Sequence, residues 1–162
     1  MLVIISDIHL TDGTAGQTIK AGAFEIFREA LHDLATEASW RRPSDGAAVY
    51  KPISCVDVVL LGDILDVIRS ARWCAGPVRP WGDITDPRFS AKVEEITAGI
   101  LDNNQEALQI LKSMTCGQWI RVPAAARLRE GCAAPSGELK PVTVQIHYMV
   151  GNHDWVYHLP GP

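Results

Sequence analysis

The chain has 162 residues, 47% of them hydrophobic and 21% charged, which excludes a disordered polymer and fits a globular domain. A chain of this length buries about 70% of its unfolded surface, so it forms a core without disulfides or a structural metal. The net charge of −4 argues against a broad electrostatic grip on nucleic-acid phosphates and leaves room only for a local one. Cys55, Cys74, Cys116 and Cys132 include no C-x-x-C pair, so free thiols in a reducing compartment are expected. Met1–Ile5 is apolar but meets Ser6-Asp7 at once and has no basic flank. It reads as neither a signal peptide nor a membrane span, and a soluble, cytoplasmic protein with no membrane partner is the expectation.

In chain order, residues 2–6 predict a fully buried strand and residues 10–18 a Thr-, Asp- and Gly-rich loop. A helix is expected from Ile19 to Ala38, with Phe24, Phe27, Leu31, Leu34 and Ala38 on its apolar face. Pro43, Gly46 and Pro52 break regular structure over residues 41–54. Residues 56–61 read as a second buried strand bounded by Gly62. Residues 70–90 read as a long loop, residues 91–114 as a helix interrupted at Asn104, and residues 115–141 only as loop. Val142–Val150 is the third strand. Alternating helix and strand predicts an α/β fold, a mostly parallel sheet with flanking helices.

Each strong strand runs into polar residues. Ser6-Asp7-Ile8-His9 follows the first, Gly62-Asp63-Ile64-Leu65-Asp66 the second, and Gly151-Asn152-His153-Asp154 the third. Ligands of open α/β sheets gather outside the carboxyl ends of strands. Carboxylates, imidazoles and an amide brought together there suit Mn²⁺, Fe or Zn²⁺ rather than a soft thiolate site. One Asp has two oxygens and can bridge two ions about 4 Å apart. Each motif alone has a plainer reading: an Asp after a strand is often a helix N-cap, and Gly-Asn-His-Asp is turn chemistry. A doubly wound nucleotide-binding domain is disfavoured, since neither G-x-G-x-x-G nor G-x-x-x-x-G-K-(S/T) is present.

The three blocks together resemble the calcineurin-like metallophosphoesterases, whose first signatures are D-x-H, G-D-x-x-(D/E) and G-N-H-(D/E). The resemblance implies the N-terminal portion of a β-sandwich with helices outside. It implies that Asp7 and His9 bind a first divalent ion, that Asp63 bridges two ions, and that Asn152 binds the second through its amide oxygen. His153 would act at the scissile phosphate, and Asp154 would orient His153. Asp66 would be a supporting or helix-starting residue. The implied activity is that of a hydrolase, a phosphatase or phosphodiesterase whose hydroxide bridges two ions (Mn, Fe or Zn).

The chain departs from that family in two ways. The family's later histidine and Gly-His-x-His blocks have no counterpart up to Pro162, eight residues past Asp154 (162 − 154). The expectation is therefore one incomplete domain over 1–162, truncated, holding one ion firmly, and weak or inactive alone. A second chain supplying the missing half is a further possibility, and a non-catalytic metal- or phosphate-binding domain is the alternative. Asp63 and Asn152 also lie 89 positions apart (152 − 63), so residues 67–141 form an insertion, either a substrate-reading cap or a passive loop and core helix. Trp73 and Trp81 could stack on a base or sugar or pack locally, while His32 and His147 read as structural.

Overall fold

The computed structural model describes residues 1–16, 19–42, 44, 46–116, 119–127 and 133–159. The expected thiol of Cys132 and the breaker Pro43 lie outside them. In chain order the elements are β1 (Leu2–Ile5), α1 (Ala21–Glu37), β2 (Trp40–Arg41), β3 (Val49–Tyr50), β4 (Cys55–Leu61), a 3₁₀ turn (Ala71–Cys74), α2 (Pro87–Asn103), α3 (Gln105–Thr115), β5 (Arg121–Arg127), β6 (Ala133–Pro141), β7 (Thr143–Met149) and a second 3₁₀ turn (Trp155–His158). The fold is mixed α/β, with a parallel sheet of order β1-β4-β7. Among the described residues no helix is long and apolar enough to cross a membrane. The chain divides into two compact units.

The first unit comprises Met1–Val3, Gly22–Val58 and Ile110–His147. Helix α1 buries Phe24, Leu31 and Ala35, while Leu34, expected on the same stripe, is exposed. Its end is fixed by buried Ser39, whose Oγ donates to Ala35 O at 2.8 Å and accepts the Ile53 amide at 3.2 Å. The stretch expected to be irregular holds a short antiparallel pair, β2–β3, with Trp40 opposite Tyr50. Tyr50 is buried, and its hydroxyl donates to Pro123 O at 2.7 Å.

Residues 121–127 and 133–141, read as loop, are a second correction, because β5 and β6 pair antiparallel there; residues 117–118 and 128–132 of that expected loop lie outside the described residues. The prolines hid the pairing. A two-stranded ribbon tolerates proline because both strands have an unpaired edge, and the register shifts between Pro123 and Ala125. Alternation remains visible in buried Val122 and Ala124.

The second unit comprises Ile4–Ala21, Val59–Gln109 and Tyr148–Pro162. Strand β1 is divided between the units after Val3; read as fully buried, it alternates instead, with Leu2 61% and Ile4 55% exposed and Val3 and Ile5 half-buried. Strand β4, likewise divided between the units after Val58, buries Val56, Val58 and Leu60 and leaves Leu61 exposed, and Met149 at the end of β7 is exposed as well. These strands thus bury one face rather than two. The expected long helix is divided at Asn104, whose buried side-chain amide donates to Thr11 O at 2.8 Å. Helix α2 starts four residues earlier than expected (91 − 87), on an Asp86 N-cap with Pro87 in the first turn. Trp73 is core: its indole N–H donates to Val67 O at 2.7 Å and its ring lies 5.7 Å from Phe89. Trp81 is 81% exposed.

Asp12 anchors the loop after β1. Its carboxylate accepts from Ser70 Oγ at 2.6 Å, Thr14 Oγ1 at 2.6 Å and Arg72 Nε at 3.0 Å. Burial alone would raise this carboxyl, but the bonds from Ser70, Thr14 and Arg72 outweigh it and hold it below the usual range. A depressed carboxyl stabilises the fold above its unfolded pKa of about 3.9, and that contribution is lost as pH falls through the folded value. Asp12→Asn should therefore lower stability at pH 7 and flatten the acid limb of a stability–pH profile below about pH 4. Urea melts across pH 2–7 would measure both effects.

Candidate metal centre

The three strand ends meet through backbone pairing that outlasts the strands. Beyond β1 and β4 the two loops run side by side: His9 N donates to Asp63 O and Leu10 N to Ile64 O, each at 2.8 Å. Asp66 N returns to Leu10 O at 2.8 Å, and Leu10 and Leu65 form a parallel bridge. Leu10 and Ile64 are buried beneath this pairing. The polar residues that alternate with them are thereby gathered at one edge.

The turn after β7 joins the same edge. Gly62 N donates to Met149 O at 3.0 Å, and His153 N to Asp63 Oδ1 at 2.9 Å. The glycines of both motifs make this contact possible. A Cβ on Gly62 would lie 2.9 Å from Gly151 Cα, and one on Gly151 would lie 2.6 Å from Asp63 N. Gly62 also has φ +73°, a region glycine enters without steric cost.

Three non-glycine residues share that left-handed region: Asp7 at φ 57°, His9 at 51° and Asp63 at 55°. Each such residue costs of order 1–3 kcal/mol and persists only where its surroundings over-determine it. All three are expected metal ligands. Their donor atoms, together, lie within 4.8 Å of one another. Donors on opposite sides of one ion at about 2.2 Å would be about 4.4 Å apart, so small side-chain adjustments suffice. Asp7 is exposed and the His9 ring half-buried, with Nε2 3.9 Å from Asp7 Oδ1.

Asp66 is fully buried and bonds both histidines. His9 Nδ1 lies 2.8 Å from Oδ2, His153 Nδ1 3.0 Å from Oδ1, and the Arg69 amide donates to Oδ1 at 2.9 Å. The two rings meet edge to face with centroids 4.7 Å apart. Burial would raise the Asp66 carboxyl, but the bonds from His153, the Arg69 amide and His9 prevail and hold it low. With the carboxylate ionised, the hydrogen-bond network puts a proton on each Nδ1, so each Nε2 is the atom turned to other chemistry. A carboxylate behind an imidazole is the usual support of a metal-binding histidine. His9, Asp66 and His153 also form a second grouping with metal-compatible spacing.

Asp154 is placed differently from expectation. It is buried, and its carboxylate accepts from Ile64 N at 3.1 Å, Tyr148 Oη at 2.6 Å and the Gly151 amide. It staples the Gly-Asn-His-Asp turn to the β4 loop, while the orienting bond to His153 comes from Asp66. The Asp154 carboxyl is held low by Tyr148 and the Gly151 and Ile64 amides against the opposing effect of burial. Tyr148 is pushed up, by burial first and then by its bond to Asp154. Asn152 is exposed on the same turn. The double role of Asp66 and the staple at Tyr148 were not legible from the motifs. The one available signal was the D-x-x-D spacing of Asp63 and Asp66. In the first unit, His32 lies beside Asp33 at 3.5 Å and His147 beside Asp57 at 3.2 Å. No family model, curated protein or solved structure matches the chain.

Two substitutions test this construction. Gly151→Ala forces a methyl group against the backbone of Asp63 and Gly62, and should cost about 1–3 kcal/mol in a denaturant melt. It should weaken divalent-ion binding at the same time. Asp66→Asn keeps the volume but leaves one Nδ1–H facing an amide donor, and should weaken Mn²⁺ binding by about 10–100-fold in calorimetry. Its far-ultraviolet circular dichroism should stay unchanged.

Proposed function

We propose that this chain carries the metal centre of a phosphoesterase of the calcineurin-like type, hydrolysing a phosphomonoester or phosphodiester. The observation that carries the proposal is the meeting of three strand-end motifs at one sheet edge, with one buried carboxylate behind two imidazoles. The donor set fits a borderline divalent ion: oxygens from Asp7 and Asp63 and nitrogen from His9, with Asp66 supporting the imidazole. Asp7, His9 and Asp63 would hold one ion. Asp63 and Asn152 would serve a second, Asp63 sharing Oδ1 with the His153 amide or using Oδ2.

When bound, the ions would supply positive charge to phosphate oxygens and acidify a water. The protein's own contribution is positional. Asp66 holds His153 with Nδ1 inward, so in its protonated form Nε2–H can donate to a phosphate or leaving-group oxygen. The Asp154 staple holds the turn that carries His153 and Asn152. The left-handed backbone at Asp7, His9 and Asp63 is the pre-organisation that an ion would exploit.

The test is metal binding and hydrolysis measured on the same preparations. Wild type should bind Mn²⁺, and Asp63→Asn should weaken binding at least about tenfold. Metal-dependent hydrolysis of an aryl phosphate or diester, even if slow, should vanish in Asp63→Asn. His153→Ala should lower turnover more than metal content. Metal binding that depends on Asp63 with no hydrolysis of either ester class would favour a binding module instead.

A further inference from the structure

An apolar groove lies between α2 and the 3₁₀ turn Trp155–His158. It encloses about 470 Å³, a size typical of sites for small organic groups. Its walls include Val93, Thr97 and Leu101 of α2 and Val156, Tyr157 and Leu159 from the second 3₁₀ turn. Helix α2 turns its core stripe, Phe89, Ile96 and Ile100, inward. The groove residues Ser90, Val93, Thr97 and Leu101 recur at three- and four-residue steps, forming a second stripe beside the first. Ser90 and Ala98 contribute small side chains to the lining.

One wall of the groove is the 3₁₀ turn that follows Asp154 directly in the chain. Tyr157 N donates to the backbone oxygen of Asp154 at 3.1 Å, and the Tyr157 hydroxyl meets Thr97 Oγ1 at 2.8 Å. Trp155, next to Asp154, lies 6.4 Å from the Phe89 ring. His153 and Val156 are three links apart in the chain, so their Cα atoms are at most about 11 Å apart. The polar groups of the groove are few: the Ser90, Thr97 and Tyr157 hydroxyls and the Glu94 carboxylate. An additional phosphate or a polyanion would meet Glu94 there, whereas a flat apolar group would bury against Val93, Leu101 and Val156.

We propose that this groove receives the leaving group of the substrate, making the substrate class a phosphate ester of an aromatic or similarly apolar alcohol. The proposal rests on the phosphoesterase reading. Its experiment uses unreactive probes, so that binding is read without turnover: 1-naphthylmethylphosphonate, methylphosphonate and 2-naphthol, titrated by fluorescence and calorimetry with Mn²⁺ present. The naphthyl phosphonate should bind at least about tenfold more tightly than methylphosphonate. Ala98→Trp and Leu101→Glu, both at exposed positions, should erase that advantage while preserving Mn²⁺ content and methylphosphonate affinity. Asp63→Asn should weaken both phosphonates and leave 2-naphthol binding intact. Equal affinity for the two phosphonates, or an advantage that survives both groove variants, would overturn the proposal. Groove-dependent binding of 2-naphthol with no effect of Mn²⁺ on either phosphonate would instead overturn the phosphoesterase reading, and with it the assignment of the groove to a leaving group.

Discussion

A fully buried carboxylate, that of Asp66, is the constraint on which the candidate centre depends. An ionised carboxylate shielded from water is costly unless its oxygens are satisfied. Asp66 is satisfied by His9, His153 and the Arg69 amide, at 2.8, 3.0 and 2.9 Å. It therefore fixes two ring orientations at once, one on the loop after β1 and one on the turn after β7. Metal binding through His9 and phosphate handling through His153 would share this support, so a change at Asp66 reaches both.

The backbone supports the arrangement from below. Hydrogen bonds between the loops after β1 and β4 hold Asp7, His9 and Asp63 in left-handed conformations that a free chain would rarely occupy. The mutual approach of Gly62 and Gly151 brings the third motif within hydrogen-bond reach of the second. Asp154 then uses its two oxygens to tie Ile64, Gly151 and Tyr148 together. Two buried carboxylates thus divide the labour: Asp66 orients side chains and Asp154 secures the turn.

Outside the centre, the elements that were hardest to read from sequence are those whose signals conflict locally. The β5–β6 pair carries Pro123, Pro135 and Pro141, residues that ordinarily argue against a strand, yet a two-stranded ribbon offers edges where a missing N–H is harmless. Strand β1 is uniformly apolar and reads as buried on both sides, but Leu2 and Ile4 are exposed. Hydrophobic runs report which residues can be buried and not how many faces are covered. The division between α2 and α3 was visible as Asn104, a residue that competes with helical hydrogen bonds, and its amide reaches across to Thr11.

The sequence by itself determined the α/β alternation, the three strands and the polar motif that follows each of them. These are local properties, set by runs of β-branched residues, glycine turns and helical periodicity. Which side chains face one another was decided only by tertiary structure. Asp66 and Asp154 are both acidic residues closing a strand-end motif, and spacing does not say which one reaches an imidazole. That choice depends on the register between the β1 and β4 loops and on the close contact of Gly62 with Gly151, which carry His153 Nδ1 to Asp66 and leave Asp154 to the backbone. Contacts spanning 57 and 87 residues leave no trace in any local pattern, because the entropy of closing such loops is met by the fold as a whole.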